Sequence, residues 1–154
     1  MWSGGSATWV TGISDPGFPQ LAYMNNSRYY QFDGVDDYVT LPSTYTMAVG
    51  EYVEIKGIVV DSGSNDQINL YENAGISTAD FVQIKKNSPG GARFRINGTV
   101  YTHTGTLNDG VNTVRLTRTD SSNYTLTLNG SDEVFAESAA IILDVGNKAG
   151  TSGT

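Results

Sequence analysis

Residues 29–41, YYQFDGVDDYVTL, restrict most what this chain can become. Two runs of aromatic and β-branched residues, 29–32 and 38–41, flank Asp33, Gly34, Val35, Asp36 and Asp37, which is the pattern of strand, tight turn and strand. Gly34 supplies the positive φ such turns need, and aspartate side chains can bond nearby turn amides. The expectation is a β-hairpin that further strands must complete.

Those strands are legible downstream. Residues 51–60 alternate, with Val53, Ile55, Gly57 and Val59 on one face and Tyr52, Glu54, Lys56 and Ile58 on the other. A polar turn at 61–66 leads to a strand beginning at 67–71, and residues 80–86 and 92–97 form two more around the turn NSPGG. Asn97 and Gly98 are the strongest two-residue hairpin signal in the chain, joining 93–96 to 99–103. Residues 112–119 and 124–129 alternate cleanly, which points Val114, Leu116, Tyr124, Leu126 and Leu128 to the core and Arg115 and Thr117 outward. After a turn at Asn129 and Gly130 come 133–135 and 141–145; residues 133–140 are the nearest thing to a helix and are too short for one. About eleven short strands with turn signals roughly every ten residues predict an all-β, two-sheet antiparallel sandwich or jelly roll.

Residues 1–27 read differently. Up to residue 26 there are two Trp, Pro16 and Pro19 and no sustained alternation, so an irregular arm is expected ahead of a domain spanning 28–154. Trp2, Trp9, Phe18 and Tyr23 are too apolar for a disordered tail. They dock either on the domain's own edge or, as interface anchors, on a neighbouring subunit of a homo-oligomer or virion assembly.

Composition narrows the partners. A net charge of −7 repels nucleic acid and anionic lipid, and no basic stripe offsets it. With no cysteine, disulfides, thiolate catalysis and cysteine-bound zinc are excluded. No apolar run approaches membrane-spanning length, and MWSGGSATWV lacks the basic and apolar regions of a secretory signal. The setting expected is a virion surface or the extracellular space, reached without a signal peptide.

The phrase FDGVDDYV resembles the entry hairpin of the laminin-G-like, concanavalin A-like jelly rolls. Residues 51–60, then 113–119 with 124–130, and finally 143–150 are similar, in that order, to the family's later strands and its glycine-rich loop. The resemblance implies a concanavalin A-like sandwich and, in many relatives, glycan or Ca²⁺ binding. Two departures stand beside it. Asn112 and Thr113 occupy the place of a frequent Trp and His, and the family's closing strand would fall after Thr154, which leaves a sheet edge open to the arm or to a partner strand.

An enzyme is not expected. The single histidine, His103, ends a predicted strand, reads as an exposed or edge imidazole, and has no nucleophile or acid beside it in a known motif. Glycoside hydrolases need two carboxylates across a sugar bond, but Asp132, Glu133 and Glu137 are wrongly spaced and Glu51 and Glu54 fall on opposite faces. Polysaccharide lyases of this architecture are similar at Gln83-Ile84, yet Lys85 stands where their His follows. No cofactor is required; Ca²⁺ is the one ion the acidic turns suit, at Asp33, Asp36 and Asp37 or at Asp61, Asn65 and Asp66, against the plainer role of bonding turn amides.

A glycan site needs aromatic planes for stacking and amides or carboxylates for hydrogen bonds. Tyr71, Asn73, Phe81, Asn97, Tyr101 and His103 are the residues expected to converge for it on the middle strands, packing being the competing role. The function expected is a noncatalytic, glycan-binding surface module, plausible as a bacteriophage decoration or tail-associated protein. The alternatives are a purely structural piece binding neighbouring subunits through its arm and open edge, and a binding domain of a larger secreted enzyme or adhesin.

Overall fold

In a computed structural model of the chain, residues 20–24, 27–31, 39–58, 67–71, 79–86 and 91–146 are described. Among them the chain forms strands β1 (Gln20–Met24), β2 (Ser27–Gln31), β3 (Val39–Thr46), β4 (Tyr52–Gly57), β5 (Gln67–Tyr71) and β6 (Phe81–Lys85). Then follow β7 (Gly91–Ile96), β8 (Thr99–Thr102), β9 (Asn112–Arg118), β10 (Asn123–Leu128), β11 (Ser131–Ala136) and β12 (Ile142–Gly146). β1 and β2 make a two-stranded sheet, β11-β10-β9-β4 a four-stranded sheet and β3-β12-β5-β6-β7-β8 a six-stranded one, with every pairing antiparallel. The chain crosses between the four- and six-stranded sheets after β3, β4, β8 and β11, so the fold is a two-layer antiparallel sandwich of the jelly-roll class that the alternation predicts.

Period two decides what lies between the layers. Ile55, Val114, Leu116, Tyr124, Leu126 and Leu128 project from the four-stranded sheet, and Val82, Ile84, Ala92, Phe94, Ile96 and Leu143 from the six-stranded one, into a single buried core. Each inward residue named for β9 and β10 from the sequence is in that core. Phe94 sits at its centre, stacked on Tyr101 at 4.7 Å between ring centroids and edge-on to Phe135 at 5.5 Å. Gly57 leaves room for a side chain of the facing layer, because a Cβ there would stand 2.6 Å from Ile68 Cδ1. The hairpins β7–β8 and β10–β11 both turn on Asn-Gly, with φ of 49° and 82° at Asn97-Gly98 and 51° and 87° at Asn129-Gly130, the two left-handed residues of a type I′ turn.

Two expectations change. Residues 29–41 supply strands but not a hairpin: β2 pairs with β1, placing Leu21 opposite Tyr30, and β3 pairs with β12, placing Thr46 opposite Ile142. Only Asn25 and Asn26 separate β1 from β2, whereas seven residues separate β2 from β3, so closing the nearer loop costs less chain entropy. The arm expected to be irregular therefore contributes β1, with Tyr23 opposite Arg28; Trp2, Trp9 and Phe18 lie outside the described residues. Residues 133–135, expected as a strand, lie within β11. The last strand described, β12, is interior, between β3 and β5, and among the described residues the six-stranded sheet ends on β3 and β8.

Candidate functional site

The outward side of the six-stranded sheet follows from the same alternation that fills the core. With Val82, Ile84, Phe94 and Ile96 inward, their neighbours Phe81, Gln83, Lys85, Arg93 and Arg95 face out, and the register continues the rows across β5 and β8. One row runs Tyr71, Phe81, Arg95, Val100; the next runs Asn69, Gln83, Arg93, Thr102; the third pairs Gln67 with Lys85.

Gln83 is the hub. Its Nε2 donates to Gln67 Oε1 at 2.7 Å and to Asn69 Oδ1 at 2.6 Å, while its Oε1 accepts from Arg93 Nε at 3.0 Å and also from the second guanidinium nitrogen of Arg93. Both amide hydrogens and both oxygen lone pairs are thereby used, which holds Gln83 in place at 5% exposure. Arg93 and Arg95 reach over the Phe81 ring, 5.8 and 4.8 Å from its centroid, and Arg95 Nε donates to the Ala79 carbonyl at 2.6 Å.

Positive charge is crowded here. Burial and then the neighbouring Arg95 hold Arg93 below the ordinary guanidinium range, and burial and then Arg93 lower Lys85. Burial also lowers Arg95, with Asp80 opposing it. Asp80 is buried at the rim, where Oδ1 accepts the Asn97 N–H and Oδ2 the Ile142 N–H, each at 3.0 Å.

No protein-family model and no curated protein matches the chain. Solved structures that do include a single- and a double-substitution variant of human galectin-16. They are 18% and 17% identical to this chain, with TM-scores of 0.44 and 0.45; each alignment covers 70% of this chain and 89% of the galectin chain.

Of the residues named for a glycan site, Tyr71 and Phe81 are neighbours on the outward face. Asn97 is exposed at the β7–β8 turn, at the end of the same sheet. Tyr101 belongs to the opposite side: its ring packs on Phe94 and Phe135, and its hydroxyl donates to Glu137 at 2.9 Å. His103 is not an edge imidazole but is 5% exposed, with Nε2 bonded to the Ser131 carbonyl at 3.0 Å and Nδ1 accepting the Gly105 N–H at 2.9 Å. A carbonyl at one nitrogen and an N–H at the other select the neutral Nε2–H tautomer. Asn73 and the acidic turns at Asp33, Asp36, Asp37 and at Asp61, Asn65, Asp66 lie outside the described residues, and among the described residues no three acidic or histidine side chains gather as metal ligands.

Sequence reading passed over Gln67, Asn69, Arg93 and Arg95. The signal was present, since two adjacent strands carry Gln83 and Lys85 then Arg93 and Arg95 at every second position, each set alternating with core residues. The opposite sheet carries a shallow depression of about 490 Å³ lined by Glu54, Thr113, Arg115, Thr127, Asn129 and Gly130. Its charges close on themselves, because Arg115 bonds Glu54 at 2.7 and 2.9 Å and stacks 4.5 Å over Tyr52. The six-stranded sheet instead gathers Lys85, Arg93 and Arg95 on its outward side, with Asp80 attracting Arg95 from the rim.

Four carboxylates elsewhere tie loops to strands. The N–H groups of Ala48, Thr104, Ser122 and Ala139, each within 2.9 Å, are the first cause holding Glu51, Glu133, Asp120 and Glu137 below the usual carboxylate range. A carboxyl whose folded pKa is depressed stabilises above its unfolded pKa and loses that contribution as pH falls through the folded value. The urea midpoint is therefore expected to hold from pH 7 to 5 and fall steadily below the unfolded value of about 4.5. Glu133→Gln is expected to lower the midpoint at pH 6 and shrink the acid-induced drop; equal drops in both proteins would count against this origin.

Proposed function

We propose that the outward face of the six-stranded sheet binds a saccharide bearing carboxylate or sulfate groups, without catalysis. The observation that carries the reading is the Gln83-centred network, in which amides and a guanidinium are fixed by one another beside the Phe81 ring. The network holds the guanidinium of Arg93 beside an aromatic plane on which the C–H face of a sugar can stack, and immobilised side chains lose little entropy on binding. The acidic preference rests on charge. In a chain of net charge −7, Lys85, Arg93 and Arg95 are gathered on one face, where burial and then Arg93 lower Lys85 and burial and then Arg95 lower Arg93, and an anion laid across that face favours their charged forms. The positions that β5 to β8 turn outward include no carboxylate, so the acid and base of glycoside hydrolysis find no place there.

We read the module as displayed on an exterior surface, and its acidic composition, rich in Ser, Thr and Asn, suits a bacteriophage virion. A structural reading also has an observation in its favour. Tyr52 and Val134, 55% and 64% exposed, stand on the two edge strands of the four-stranded sheet and offer apolar contact to a neighbouring subunit.

Glycan-array screening followed by calorimetry tests the proposal, with and without Ca²⁺. Binding to uronate, sialylated or sulfated saccharides is expected, weakening as salt rises. Arg93→Met and Lys85→Met are expected to lower affinity about tenfold each, the loss of one charge-assisted contact, with little change in melting temperature for Lys85→Met. Signals at background for every saccharide, in both Ca²⁺ conditions, would remove the reading.

A further inference from the structure

Two Asn-Gly turns in this chain share a backbone and differ in how their asparagines are held. Both have left-handed φ at Asn and Gly, and at both glycines an added Cβ would meet nothing within 4 Å, so both are open to water. Asn129 is clamped: its Oδ1 accepts the Thr113 N–H and its Nδ2 donates to Asn112 Oδ1, each at 2.9 Å. Asn112 is buried and held in turn, its Nδ2 donating to the Asn108 and Gly110 carbonyls at 3.0 Å. At Asn97 only the backbone N–H is tied, to Asp80 Oδ1; its exposed side chain makes no hydrogen bond among the described residues.

We infer that Asn97 is a site of spontaneous covalent modification, converting to aspartate and isoaspartate, and that Asn129 in the same turn type is protected. The Gly98 amide nitrogen lies outside the β7–β8 ladder, whose pairing begins at Ile96 and Thr99, and no side chain on Gly98 shields it. It attacks Asn97 Cγ. The N–Cγ bond forms, the side-chain nitrogen leaves as ammonia carrying the proton lost by Gly98, and a five-membered succinimide results. Water then opens the ring at either carbonyl, so the net change is water in and ammonia out, with one new carboxylate. At Asn129 the same attack requires two hydrogen bonds to break first, which at the usual net strength of such bonds slows it about tenfold or more.

The consequences fall on one corner of the sheet. Isoaspartate adds a backbone atom to a two-residue turn that tolerates none, and either product sets a carboxylate beside buried Asp80. In the acidic-saccharide reading above, the new negative charge at that end of the face weakens binding. That consequence rests on the reading, whereas the modification itself does not.

The test is incubation of the whole folded protein at mildly alkaline pH, with peptide mass mapping and enzymatic methyl labelling of isoaspartate at intervals. Amide-to-acid exchange is expected at Asn97 about tenfold or more faster than at Asn129, and the two rates are expected to converge in urea, where the clamp is gone. Asn97→Gln is expected to remove the early label. Asn129 reacting as fast as Asn97 in the folded protein, or Asn97 remaining intact while folded, would overturn the inference. Saccharide affinity measured on the aged protein is a separate readout, so a failure of the binding reading leaves the mass result standing.

Discussion

Phe94→Ala is expected to destabilise the protein by about 3–5 kcal/mol, the range for removing a large aromatic from a packed core. Phe94 is fully buried and touches three other rings, with centroids 4.7 Å away at Tyr101, 5.5 Å at Phe135 and 5.7 Å at Tyr124. Tyr101 comes from the neighbouring strand β8, while Tyr124 and Phe135 come from the facing sheet, so one side chain joins both layers. Truncation loses transfer energy and leaves a cavity that paired strands cannot collapse to fill. For a chain of this length each kcal/mol lowers the melting temperature by about 2–4 °C, so a drop of roughly 10 °C is expected. Phe94→Leu keeps most of the volume and is expected to cost about half as much. A loss below about 1 kcal/mol in urea titration would show that the four rings do not carry the contact between the sheets.

Asp80→Ala is expected to cost about as much, by different physics. The Asp80 carboxylate is buried, accepts two backbone N–H groups and attracts Arg95. Hydrogen bonds to a charged acceptor contribute about 1.5–3 kcal/mol each, and removing the acceptor leaves the Asn97 and Ile142 N–H groups without that partner. The expected cost is about 3–5 kcal/mol, in line with deleting one partner of a buried charged network. Asp80→Asn keeps one acceptor oxygen and turns an N–H toward an N–H, so an intermediate loss is expected. Because the carboxylate joins the β7–β8 turn to β12, hydrogen exchange is expected to accelerate at Asn97 and Ile142 together. Acceleration at only one of them would show that the two ends are not coupled through this side chain.

Strand positions were legible because period-two alternation is local, and β4 through β12 lie within a few residues of where it puts them. Partners were not local. The run 29–41 carries two strands, but the sequence is silent on whether β3 meets β2 or an element a hundred residues later. Hydrophobic pattern gave the inward face of each strand, as Val114, Leu116, Tyr124 and Leu126 show. The candidate site was only half legible for a related reason. Aromatic residues drew notice one at a time, although Tyr101 and His103 turn away from the face that Tyr71 and Phe81 share. Gln83 and Arg93 matter through each other, ten positions apart, and only the register of β6 against β7 reveals that.

The placement of β12 between β3 and β5 also bears on how the protein is made. Thr46 meets Ile142 in the finished sheet, so a nascent chain must leave the ribosome as far as residue 142 before that sheet can close. Until then β3 and β5 present bare edges to other nascent chains, and pairing across such sequence distance belongs to the millisecond-to-second regime of folding rather than the microsecond one. Synthesis interrupted before residue 142 would release a polypeptide in which β5 to β8 can pair but β3 has no strand to join it to them.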